Sequence, residues 1–284
     1  MSEEQKFGFT DDELVGQPTV FAPGLFKGRV ALVSGGGSGL GKATAALFAR
    51  LGASVAICGR DAAKLEAAKP LFERIGADLS THAMTIRDPQ AVSDLMDAVA
   101  ERHGALDVLV NNAGGQFPQP AIDYSVKGWN AVIDTNLNGT WHMMQAAARR
   151  WRDGGRPGCI VNIVADIWRG MPGIAHTCAA RAGVVYLSKS VAVEWAPLNI
   201  RVNCVAPGCN ETEGFAVYPP EGSATFKEAN PMRHVGDAQD IAEACVYLAA
   251  PSGKFVTGEV LTVDGGQQLW GDSWPTGRPA YFRL

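Results

Sequence analysis

The sequence contains no apolar run long enough to span a bilayer, which excludes an α-helical membrane span. It also has no C-x-x-C pair. Cys58, Cys159, Cys178, Cys204, Cys209 and Cys245 are scattered and the five histidines show no ligand spacing, so neither a disulfide framework nor a metal site is expected. An excess of positive charge is missing too. The net charge of −4 disfavours nucleic acid or an anionic membrane as a main partner. The opening residues, Met1-Ser2-Glu3-Glu4-Gln5, carry neither a basic start nor an apolar core, so no secretory signal is expected and a cytoplasmic protein is.

What is present is a repeating alternation. Apolar, β-branched runs at 29–34, 54–58, 79–84, 107–111, 158–164, 199–205 and 259–263 read as strands. Between them, 40–51, 61–75, 88–103, 128–152, 176–196 and 238–250 read as helices, with Asp61 and Asp88 as N-caps and Gly104 as a helix stop. Strands with little polar alternation, separated by helices, predict a parallel sheet covered on both faces. Right-handed crossovers make it doubly wound, with ligands at the carboxyl ends of the strands. The expected layout is an N-terminal extension (1–25), one α/β domain (26–268) and a C-terminal extension (269–284). Residues 209–235, rich in Gly, Pro and Glu, break the rhythm just after a strand and read as a loop over a substrate.

The first strand runs into Ser34-Gly35-Gly36-Gly37-Ser38-Gly39-Leu40-Gly41 and then a helix. Glycine clusters cost backbone entropy and need a reason. Here the turn aims several backbone N–H groups at one spot, and the helix dipole makes that spot suit a pyrophosphate. The fold class is therefore a single Rossmann-type domain with a seven-stranded parallel sheet. The second strand ends in Gly59-Arg60-Asp61, without an acidic residue free for a ribose 2′-hydroxyl. Arg60, with Lys64 one turn on, suits the 2′-phosphate of NADP, the alternative being a solvated arginine.

Further phrases carry a resemblance. Asn111-Asn112-Ala113-Gly114 follows the fourth strand, Asn136 sits in Asp134-Thr135-Asn136-Leu137-Asn138-Gly139, Pro207-Gly208 with Thr212 follows the sixth strand, and Val263-Asp264-Gly265-Gly266 ends the seventh. Together they resemble the short-chain dehydrogenase/reductase family over about 26–268. The resemblance implies that Asn112, Ala113 and Gly114 flank the adenine-ribose side of the cofactor, and that Pro207, Gly208 and Thr212 approach its nicotinamide and phosphates. It also implies a homo-oligomer, a tetramer built on the helices at 128–152 and 176–196. Most members carry Tyr-x-x-x-Lys and an upstream Ser. In this register those positions read Thr177, Arg181 and Val164, and only Asn136 of the usual four survives. The phrases Phe21-Ala22-Pro23-Gly24-Leu25, Gly114-Gly115-Gln116-Phe117 and His176-Thr177-Cys178-Ala179-Ala180-Arg181-Ala182-Gly183 are similar to the peroxisomal trans-2-enoyl-CoA reductase branch. Thr212-Glu213-Gly214 is shared with the neighbouring 2,4-dienoyl-CoA reductases.

The departure has chemical content. Reducing a ketone needs a proton donor at the oxygen. A threonine is too weak an acid, and an arginine is effectively always protonated. Reducing an enoyl thioester needs hydrogen-bond donors for an enolate oxygen, and its α-carbon can take a proton later from water. Thr177 and Arg181, four apart on one helix face, can serve one site in that way. The expected activity is NADPH-dependent reduction of a 2-enoyl-CoA with Asn136, Thr177 and Arg181 as catalytic residues, Arg181 acting directly or through the nicotinamide ribose hydroxyls. The plainer alternatives are Arg181 as a ribose anchor of the cofactor without substrate contact, Thr177 bonding backbone at a helix N-terminus, and Asn136 bracing an interrupted helix at 128–152. The alternatives are dienoyl-CoA or carbonyl reduction, and a catalytically silent NADP-binding protein. Asp166, fifteen residues before Arg181 where some dienoyl reductases place a tyrosine, is a further candidate for handling a proton. Arg149, Arg150, Arg152 and Arg156 are candidates for CoA phosphates or a solvated helix end. Phe282-Arg283-Leu284 only loosely resembles a peroxisomal signal.

Overall fold

A computed structural model describes residues 7–217 and 223–269. The opening five residues and the extension beyond Leu269, including Phe282-Arg283-Leu284, lie outside the described residues, as does part of the 209–235 loop. The strands are β1 (Val30–Ser34), β2 (Ser54–Gly59), β3 (Leu79–Ala83), β4 (Val108–Asn111), β5 (Gly158–Ile163), β6 (Ile200–Pro207) and β7 (Val260–Val263). They form one seven-stranded sheet in the order β3-β2-β1-β4-β5-β6-β7, with parallel pairing throughout. The direction of winding reverses between β1 and β4. Both strands end there in side-by-side loops, which opens a crevice at their carboxyl ends.

The helices are α1 (Asp11–Gly16), α2 (Gly39–Arg50), α3 (Ala62–Ile75), α4 (Pro89–His103), α5 (Val126–Ile133), α6 (Thr140–Asp153), α7 (Ala175–Trp195) and α8 (Ala238–Ala249). Successive strand side chains point to opposite faces, so each central strand feeds two cores. Val33, Ile57, Val110 and Val161 pack with α2, α3 and α8, whereas Leu32, Ala56, Leu109 and Ile160 pack with α4 and α6. The caps read from the sequence are in place. Asp61 accepts from Ala63 N and Lys64 N, Asp88 accepts from Gln90 N, and Gly104 ends α4 at φ +80°. No helix among the described residues is long and apolar enough to cross a membrane.

Two features differ from the periodicity reading. The helix expected at 128–152 is broken by a π turn, Asp134–Gly139, between α5 and α6. A widened turn lets a side chain reach across that a regular i→i+4 ladder would hold in line. Within the N-terminal stretch, α1 carries a complete capping box at Thr10 and Glu13 and buries Leu14. It is tied to α2 and α3 by Lys42–Asp11 and Arg74–Asp12 pairs and by Arg50 donating to Leu14 O.

Opposite the crevice, Trp151 of α6 closes the floor. Its indole N–H donates to Leu106 O at 2.7 Å, and a Cβ on Gly158 would meet its ring at 2.2 Å. Trp151→Ala should cost about 3–5 kcal/mol of unfolding free energy, measured by urea denaturation. A variant as stable as the parent would show that the ring is not what fills this layer.

Candidate active site

The crevice is built on the glycine turn. Gly35 adopts φ +68° and its N–H donates to Cys58 O at 2.7 Å. A Cβ on Gly41 would lie 2.3 Å from Gly35 O and 2.4 Å from Asn112 Nδ2, so helix and strand approach closely only without side chains. Asn112 braces this contact from β4, its Nδ2 donating to Ser34 O at 3.1 Å and Gly35 O at 3.2 Å. Ser34 Oγ in turn accepts from Asn112 N and Ala113 N. Ser38 occupies the N-cap of α2 in extended conformation but makes no side-chain cap. Instead Gly39 N donates to Glu213 Oε2 at 3.0 Å.

Two hollows meet at Asn112 and Gly114. The first, of about 880 Å³, runs over Gly37, Ser38, Arg60, Lys64, Ala113 and Thr135. Arg60 is exposed at its rim and forms no ion pair among the described residues, while Asp61 beside it is committed to capping α3. The second, of about 310 Å³, is lined by Leu40, Asp166, Arg181, Pro207, Gly208 and Phe215, among others. Gly208 is held by its N–H to Val263 O at 2.9 Å, and a Cβ there would meet Asp264 Cα at 2.7 Å. Thr212 stands beside Gly39, its hydroxyl accepting from Gly214 N at 3.2 Å.

Arg181 dominates the smaller hollow. The residue is 7% exposed and its Nη1 has no hydrogen-bond partner. Burial pushes its pKa down to about 10, which leaves the guanidinium charged at neutral pH. Its Nη2 lies against the Gly114 backbone, where a Cβ would come within 2.2 Å. That loop is fixed by Asn136 in the π turn, whose Oδ1 accepts from Gly115 N and whose Nδ2 donates to Gly115 O, both at 2.9 Å. Asn136 thereby braces the Gly115 loop against the π turn.

Thr177 is brought to the same helix face but not to the hollow's lining. It is buried, with its hydroxyl 3.3 Å from His176 Nδ1. His176, to which the sequence assigns no role of its own, is buried beneath Tyr124 (rings stacked at 4.5 Å) and Phe117, and desolvation lowers its pKa. Asp166 does line the hollow. Half-buried, and with Asp264 nearby, its carboxyl is pushed up to about 6, Arg169 pulling weakly the other way. No tyrosine and no lysine line this hollow among the described residues. Arg150, Arg152 and Arg156 pair with Asp97, Asp153 and Asp107 near the start of β5, at the far end of the sheet.

The arrangement fits a dinucleotide. The turn supplies backbone donors at a helix N-terminus, and the unpaired buried guanidinium needs an acceptor. Residues 35–268 match the family model described as enoyl-(acyl carrier protein) reductase. The chain is 36% identical over 246 residues to a probable 2,4-dienoyl-CoA reductase, (2E)-enoyl-CoA-producing, of Bacillus subtilis, covering 85% of this chain and 97% of that protein. It is 37% identical over 265 residues to the rat (Rattus norvegicus) peroxisomal 2,4-dienoyl-CoA reductase, (3E)-enoyl-CoA-producing, covering 91% and 90%. Among solved structures, the citronellol catabolism dehydrogenase of Pseudomonas aeruginosa PAO1 superposes with a TM-score of 0.79 at 38% identity, covering 88% of this chain and 99% of that one. With the glycine turn, the Asn-Asn-Ala-Gly loop and the sheet order all in register, the chain belongs to the short-chain dehydrogenase/reductase family and is an oxidoreductase that uses a nicotinamide cofactor.

Proposed function

We propose that the protein reduces the carbon–carbon double bond of a trans-2-enoyl-CoA with NADPH. The observation that carries this reading is the pairing in one cavity of a buried guanidinium, its Nη1 unpartnered, with a carboxyl group, and with no phenol among the described lining residues. NADPH held by the glycine turn and by Arg60 would supply the hydride that the substrate's β-carbon takes up. Negative charge then spreads to the thioester oxygen. Arg181 holds that oxygen by hydrogen bonds and charge, worth about 3 kcal/mol for a preorganised donor aimed at a developing oxyanion. It cannot release a proton, so it favours an enolate over a finished alcohol. Asp166, with its raised pKa, gives a proton to the α-carbon and is reprotonated from solvent. Asn136 and Gly115 keep the Gly114 loop where Arg181 can reach past it. Thr177, engaged with His176, supports the first turns of α7.

Arg60 and Lys64 at the rim, with Asp61 consumed as a cap, support NADP over NAD. Val126, Tyr186 and Val193 are largely exposed on α5 and α7, which supports a homo-oligomer, a tetramer, joined through these helices. A second reading, 2,4-dienoyl-CoA reduction, is favoured by the names of the relatives. It uses the same groups on a longer conjugated system.

Purified protein should oxidise NADPH faster with a medium-chain trans-2-enoyl-CoA than with a simple ketone, followed at 340 nm; equal rates would overturn the reading. A strong preference for 2,4-dienoyl-CoA would select the second reading instead. With Asp166 as the acid, kcat/KM should fall about tenfold per pH unit as pH rises above about 6, where the carboxyl loses its proton. Asp166→Asn should lower the rate about 100-fold or more and flatten that limb; an unchanged profile would remove Asp166 from the chemistry.

A further inference from the structure

The first turn of α2 contains no acidic residue, and its N-cap Ser38 leaves the helix end uncapped by its own side chain. The orphan donor at Gly39 is filled from far along the chain, by the Glu213 carboxylate. A helix N-terminus carries about half a positive charge, enough to hold one anion well and two poorly. We infer that Glu213 is an internal plug in the phosphate cradle, a carboxylate standing where a cofactor phosphate needs the same donor, so that cofactor binding expels it. This rests on the reading that the glycine turn takes the cofactor.

The plug is connected to the substrate cavity. Glu213 opens the short 3-10 turn Glu213–Val217, which carries Phe215. Phe215 is buried and its ring meets Phe226 at 5.1 Å and Phe7 at 5.8 Å; Phe215 and Phe226 both line the hollow beside Arg181. Two residues earlier, Glu211 accepts from Gly8 N, so the N-terminal arm holds the same segment from outside. Glu213 itself is exposed, so release to water costs it little solvation. Expelling it moves the base of the turn that bears Phe215. Cofactor occupancy is thereby communicated to the apolar wall of the substrate cavity, which predicts ordered binding with the cofactor first. The plug also weakens cofactor affinity in exchange for faster release.

The direct test is the NADPH dissociation constant, by fluorescence titration, for the parent, Glu213→Gln and Glu213→Ala. Loss of a competing carboxylate should tighten binding about three- to tenfold. Inorganic pyrophosphate, used as a probe without nicotinamide, should gain affinity in the same variants. Hydrogen exchange in 211–217 should rise on NADPH binding in the parent and already be high in the free variants. Folded variants with unchanged or weaker affinity for NADPH and pyrophosphate, or exchange indifferent to NADPH, overturn the plug. Parent protein that binds neither NADPH nor NADH overturns the cofactor reading and the plug together.

Discussion

A guanidinium buried without a counter-ion is the constraint around which this molecule is organised. Removing a charge from water costs several kcal/mol even after relaxation, and the usual remedy is a carboxylate partner. Arg181 has none. Its Nη1 is unpaired, and Cys204, whose charge would raise the Arg181 pKa, is a thiol pushed up to about 11 and therefore neutral. The protein tolerates this by holding everything around the cation in place. Asn136 pins Gly115, Gly114 gives up a side chain to make room, and Gly183 of α7 lies close against Leu137 of the π turn. Held in this way and left unsatisfied, the guanidinium has the preorganisation that the proposed reaction requires.

The opposite end of the sheet makes the contrast. A hollow of about 840 Å³ there is also lined by arginines and an aspartate. Its groups, however, satisfy one another. Asp107 accepts from Val30 N at 2.9 Å and pairs with Arg29 and Arg156, and Arg201 donates to Leu248 O at 2.7 Å and Gly253 O at 2.8 Å. These contacts close the ends of strands and of α8, and they ask for no ligand. The larger hollow is the satisfied one, so unmet hydrogen-bonding capacity and not size marks the Arg181 site.

Most of the scaffold was legible in the sequence because its signals are local. Strand bounds follow from β-branched runs, and the caps at Asp61 and Asp88 act on backbone two or three residues away. The glycine turn was readable for the same reason, whereas the loss of the Tyr and Lys positions at Thr177 and Arg181 was readable only through the family resemblance. What escaped depends on distance along the chain. Asp166 owes part of its raised pKa to Asp264, and Gly39 is capped by Glu213 across 174 residues. The break at the π turn was legible in part, since Asp134–Gly139 is poor in helix formers and Asn136 could be read as the brace of an interrupted helix, but its partner Gly115 lies on another loop. Thr177 shares a helix face with Arg181 as the spacing required, yet spacing says nothing of His176 taking up its hydroxyl.

On the proposed reading, Arg181 is buried without a partner for the sake of the reaction and not of the fold. Arg181→Met, close in length and apolar, separates the two. Its unfolding free energy should equal or exceed the parent's, because a desolvated charge is gone, while enoyl-CoA reduction should fall about 100-fold or more. A variant that is several kcal/mol less stable yet reduces enoyl-CoA at the parent's rate would contradict it.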